Sequence, residues 1–78
     1  MQKLPRLSGH DVIKVLSRMG FIPKRQKGSH VILIKKTEKG KIGCVVPLHK
    51  ELEIGTLMGI LRQAKIGREE FVETLKER

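Results

Sequence analysis

The chain predicts an α+β fold: one three-stranded antiparallel sheet with its helices packed on a single face. Three observations predict it. Apolar residues recur at helical spacing near the N-terminus and again in the last third. Between these regions lie apolar, β-branched runs such as Val31-Ile32-Leu33-Ile34. Short turns separate those runs, so neighbouring strands pair antiparallel. The 78 residues make one domain, 1–78. A domain of this size buries only about 60% of its unfolded surface, so help from a partner or from self-association is expected.

Met1 to Leu7 is a basic lead-in broken by Pro5. Ser8 is placed to cap a helix, Asp11 completes an approximate capping box, and Leu7 can staple onto Val12. Val12, Ile13, Leu16 and Met19 set the helical period, so the first helix runs from about 9 to 19. Gly20 is its natural stop. Phe21 to Lys27 reads as a short strand, and Pro23, which cannot donate to a ladder, makes it an edge strand or an irregular one. A second strand covers about 29 to 36. The turn Thr37-Glu38-Lys39-Gly40 leads to a third strand, Lys41 to Val46, which Pro47 ends. Leu48, Leu52 and Ile54 are expected to anchor the next loop. Gly55-Thr56 opens a helix with Leu57, Ile60, Leu61 and Ala64 on one face, and Gly67 breaks it. A last turn or helix begins at Arg68-Glu69-Glu70, with Phe71, Val72 and Leu75 inward and the two glutamates at its positive end.

Charge narrows the partners. The formal net charge is +9. Residues 1–50 carry twelve Lys and Arg against Asp11 and Glu38, while residues 51–78 carry five against six Glu. A one-sided positive field points to a polyanion, most often nucleic acid. Two phenylalanines, no Trp and no Tyr exclude a base-stacking platform for single strands. No run of about 20 apolar residues predicts a membrane span, and the N-terminus lacks the apolar stretch of a signal peptide. A lone cysteine, Cys44, fits a reducing cytoplasm and reads as a small buried hydrophobe. The spacing of Cys44 and the histidines matches no familiar zinc pattern, and no close acidic pair suits magnesium, so no metal or other cofactor is expected. A phosphate-binding loop of the G-x-x-x-x-G-K type is absent.

The chemistry concentrates in Arg25-Gln26-Lys27-Gly28-Ser29-His30, immediately before the apolar strand. His30 should sit where that strand enters the core, at a cationic rim. An RNA-cleaving site needs a base for the 2′-hydroxyl, an acid for the leaving 5′-oxygen and positive charge on the phosphate. Histidine, with a pKa of about 6.5, suits the proton work. Lys24, Arg25 and Lys27 can stabilise charge on the phosphoryl oxygens. Gly28 lets a phosphate approach the backbone, and the Ser29 hydroxyl can donate to it. Ser29 and His30 do not form a catalytic pair, because neighbours on a strand point to opposite faces. Edge protection is the plain alternative for the three cations. Lys35, Lys36, Lys39 and Lys41, around the hairpin turn, either reach a nucleic-acid backbone or form a solvated loop. His49, in Pro47-Leu48-His49-Lys50, is a secondary candidate as acid partner, phosphate contact or structural residue bonding the loop. His10 reads as an exposed surface histidine.

Gly20-Phe21, Gly28-Ser29-His30, Val46-Pro47-Leu48-His49, Gly55-Thr56-Leu57 with Ile60-Leu61, and Glu70-Phe71 occur in this order from about Ser8 to Leu75. In that order and spacing the chain resembles the HicA toxin family of toxin–antitoxin systems. The resemblance implies a fold like the double-stranded-RNA-binding domain, whose element order is the same. It implies ribosome-independent mRNA cleavage by a single catalytic histidine, here His30. It also implies a HicB-type antitoxin that covers the site, in a toxin–antitoxin hetero-oligomer. One departure is Gly67, where such proteins often carry a Ser, Thr or Asp cap; glycine still caps acceptably. Two rival readings remain open. One is a non-catalytic RNA-binding module, although the neutral Gly55-Thr56-Leu57-Met58 lacks the lysines of duplex binders. The other is a basic face that docks only onto an acidic protein.

Overall fold

The computed structural model describes residues 4–77, so the first three residues of the basic lead-in lie outside the described part. Its elements are α1 (Gly9–Arg18), β1 (Ile22–Lys27), β2 (His30–Thr37), β3 (Gly40–Pro47), α2 (Ile54–Ala64) and α3 (Arg68–Lys76). The sheet runs β1-β2-β3 with both pairings antiparallel. This is the α+β arrangement expected from the sequence. Among the described residues no helix is long and apolar enough to cross a membrane.

The first helix begins as its sequence dictates. The Ser8 hydroxyl accepts from the Asp11 N–H at 3.1 Å, and the Asp11 carboxylate accepts from the Ser8 N–H at 3.1 Å. Those bonds favour the charged carboxylate and hold its pKa below the ordinary 3.8. The helix ends in a Schellman motif: Phe21 N–H donates to the Leu16 carbonyl and Gly20 N–H to that of Ser17, with Gly20 at φ 99°. Val12, Val15 and Leu16 are fully buried, while Ile13 and Met19 pack at the margin. Val15 thus joins the buried face that the 12-13-16-19 spacing only partly outlined.

The helices back one sheet face, where Val31, Leu33, Cys44 and Val46 meet Val12, Leu16, Leu57, Leu61 and Phe71. Each such side chain, fully buried, contributes about 1.5–3 kcal/mol of transfer free energy. The other face stays open. Ile32 and Ile34 are half-buried there, and Ile22 and Val45 remain 56% and 38% exposed. The β3 edge is covered where the Gln63 side chain of α2 accepts from the Val45 N–H at 3.0 Å, which blunts one pairing edge.

β1 contains a bulge that resolves a conflict in its own sequence. Phe21, Arg25 and Lys27 are an even number of positions apart, so a regular strand would turn them all to one side. Phe21 is nevertheless buried, and Arg25 and Lys27 are exposed. Ladder partners run Pro23 to Leu33 and then Arg25 to Ile32, which leaves Lys24 as the extra residue. The register flips there, so Phe21 enters the core while Arg25 and Lys27 stand on the open face.

Three details depart from the sequence reading. Ser29 is in the β1–β2 turn and β2 starts at His30, so strand alternation says nothing about that pair. Ile54 does not anchor the loop: it opens α2 and is 44% exposed, whereas Leu52 is buried. Finally, α2 is ended by Lys65, not by Gly67. Lys65 adopts the left-handed conformation (φ 58°, ψ 41°), and Ile66 and Lys65 N–H groups bond back to Leu61 and Arg62. Gly67, with an extended backbone, instead N-caps α3, and its carbonyl accepts from Phe71.

Candidate functional site

His30 is the first residue of the central strand and is exposed. Its ladder partners are Lys27 on β1 and Pro47 on β3, so it stands where three chain segments meet at one end of the sheet. The preceding two-residue turn, Gly28-Ser29, has Gly28 at φ 59°. Glycine in that first central position suits a tight hairpin turn. Space around Gly28 is open, so backbone conformation, not crowding, is what calls for glycine. Gln26 Nε2 donates to the Gly28 carbonyl at 3.0 Å and steadies the turn.

The cations divide by face. Arg25, opposite Ile32, and Lys27, opposite His30, share the open side of the sheet with the histidine. Lys24 occupies the bulge, next to them but outside the ladder register. Farther along, Lys36 and Lys41 face each other directly across β2 and β3. Like charges in that position repel, and alternation puts both on the His30 side. Lys35 turns the other way, with Nζ 5.9 Å from the Phe21 ring centroid, a cation–π contact. The four hairpin lysines are therefore not one cluster: Lys35 caps the core, and Lys36 and Lys41 extend the basic face.

His49 and His10 are both exposed. Backbone bonds bring them toward the same end of the sheet as His30. The Leu48 N–H donates to the Ser29 carbonyl at 2.7 Å, and the His49 carbonyl accepts from the Gly9 N–H at 2.9 Å. Gly9 is buried against this loop, and a Cβ there would overlap the Pro47 carbonyl oxygen and come within 2.9 Å of Leu48 Cα. No local pattern in the sequence announces this contact.

Cys44 is buried on β3, and burial pushes its thiol up to about 11, so it is neutral at physiological pH and a poor nucleophile. Among the described residues no three His, Cys, Asp or Glu side chains converge to hold a metal ion. A shallow cleft between α1 and α3 is lined by Leu7, Asp11, Lys14, Val15, Arg18 and Leu75, none of them beside His30.

These features define a small, strongly basic α+β domain with the α-β-β-β-α order of the double-stranded-RNA-binding domain, a further helix at its end, and a solvent-facing histidine among cations. The chain belongs to the HicA toxin family. The family model described as HicA toxin of bacterial toxin-antitoxin matches residues 9–66. That range takes in α1, the whole sheet and α2, and leaves α3 with Glu70-Phe71 beyond it. A search of the curated proteins finds no match. Membership makes the chain a toxin-family protein of a bacterial toxin–antitoxin system, with an antitoxin as its partner in general.

Proposed function

We propose that this protein is a ribosome-independent mRNA endoribonuclease with His30 as its catalytic residue, acting in the cytoplasm and without a metal ion. The observation that carries this reading is the position of His30: exposed, first in the central strand, and directly opposite Lys27. In the cleavage step the 2′-hydroxyl attacks the adjacent phosphorus and the 5′-oxygen leaves, giving a 2′,3′-cyclic phosphate and a 5′-hydroxyl. His30 takes the proton from the 2′-hydroxyl. Lys27 and Arg25, on the same side of the sheet, with Lys24 beside them, stabilise charge on the phosphoryl oxygens. The Gly28-Ser29 turn completes the phosphate contact.

The antitoxin in this reading is of the HicB type and covers the His30 face in a hetero-oligomer. Exposed Ile22 and Val45 on that same side, between cationic ends, support a protein partner with apolar and acidic groups. The shared element order keeps a non-cleaving RNA-binding module as the rival. The test is incubation of purified protein with a long mRNA in the presence of EDTA, beside a folded His30→Ala variant. Cutting by the parent alone is expected. RNA that stays intact but is retarded on a native gel overturns the catalytic assignment in favour of the binding module.

A further inference from the structure

His30 cannot act on both ends of an in-line displacement at once. The attacking 2′-oxygen and the leaving 5′-oxygen lie on opposite sides of the phosphorus, and a second group has to protonate the one that leaves. We propose that His49 is that group. The proposal rests on the ribonuclease reading above.

The ladder between β2 and β3 pairs His30 with Pro47. The bond from Leu48 N–H to the Ser29 carbonyl, at 2.7 Å, carries the pairing one step past the end of the sheet. Residue 49 follows that bond directly, which brings it to the end of the sheet where His30 stands. Leu48 packs partly buried against the core, and His49, the next residue, is exposed. A phosphate held between the two imidazoles can meet one on each side.

His49 is also held in place. Its carbonyl is bonded to Gly9 N–H at 2.9 Å, and Gly9 packs flat against Pro47 and Leu48. The loop is therefore fixed from the α1 side and from the turn side, and rigid support is what a proton-transfer group needs. The bonds that secure the loop are all made by backbone atoms. Among the described residues the His49 ring has no hydrogen-bond partner, and it is exposed. A ring kept only to bond the loop would have one. His10 follows Gly9 on α1 and is the natural control.

In the completed step His30 accepts the 2′-hydroxyl proton and His49 gives a proton to the 5′-oxygen as the P–O5′ bond breaks. The pair returns to its starting state when the cyclic phosphate departs and protons exchange with water. A general acid contributes about 10²–10⁴-fold, but only where the leaving group needs a proton. The test uses one RNA, with the parent's cleavage site mapped, in two forms: natural, and with sulfur replacing the scissile 5′-oxygen. A thiolate leaves without protonation.

His49→Gln and His49→Ala are expected to cut the natural RNA at least about 10²-fold more slowly and the sulfur-substituted RNA within a few fold of the parent rate. His30→Ala should lose both, and His10→Gln should lose neither. Equal losses on both RNAs for folded His49 variants, or no loss on either, overturn the assignment while leaving His30 in place. A parent protein that cuts neither RNA overturns the ribonuclease reading, and the assignment of His49 with it.

Discussion

Gly9 does more for the candidate site than its place in a helix suggests. It starts α1, yet its side-chain position is occupied by the backbone of Pro47 and Leu48. Gly9→Ala should therefore force the loop away from α1 and cost about 2–3 kcal/mol, as overpacking does. For a domain of this size that is a fall in Tm of roughly 10 °C or more. Gly55→Ala is the control: Gly55 lies in α2 with open space around it, so the exchange should stabilise by about 0.5–1 kcal/mol. Thermal melts of the two variants check this, and equal melting temperatures would remove Gly9 from its supporting role. Sequence patterning identified Ser8 and Asp11 as a capping box because both partners lie within one turn. It was silent on Gly9, whose partner lies far along the chain. His30 and its cations were legible because they are contiguous. The relation of His49 to His30 was not, because it depends on how β3 pairs with β2.

The two Schellman-type ends make a comparison within one molecule. At the end of α1 the left-handed residue is Gly20; at the end of α2 it is Lys65, with the same pair of backbone bonds. The left-handed region costs a residue with a Cβ about 1–2 kcal/mol, and glycine gives part of that back as unfolded-chain entropy. Lys65→Gly should accordingly raise stability by about 0.5–1 kcal/mol, read as a shift in urea midpoint at constant m-value. An unchanged or lower midpoint would mean that the lysine side chain compensates. This end explains why Gly67 was misread as the breaker: a glycine beside a helix end attracts the assignment, although a lysine made the turn and the glycine opened the next helix. The strands were easier to read. The run Thr37-Glu38-Lys39-Gly40 marks the second hairpin turn, whereas the first was legible only in Gly28, Ser29 having been read into the strand.

At the scale of the whole molecule, the sheet face that bears His30 also carries Arg25 and Lys27 at one end and the Lys36–Lys41 pair at the other. Repulsion within such a face is relieved when anionic groups neutralise it. Replacing Lys24, Arg25 and Lys27 together with Ala should weaken RNA binding and flatten the slope of log K against log salt by about 2, at roughly 0.7 per phosphate contact on a single strand. Thermal stability should stay near that of the parent, since no ion pair is lost: among the described residues the one salt bridge is Arg6–Glu51, elsewhere on the surface. An unchanged slope would take the three cations off the RNA. The bulge in β1 bears on how this face can change over evolutionary time. Lys24 is a spare position: a chain that lost it would keep every later pairing, with Phe21 inside and Lys27 beside His30. A chain that gained one residue between Gln26 and Phe21 would have to bulge further or trade the two sides. Chains that differ in length here can therefore keep Arg25 and Lys27 on the His30 face, and chains of equal length need not.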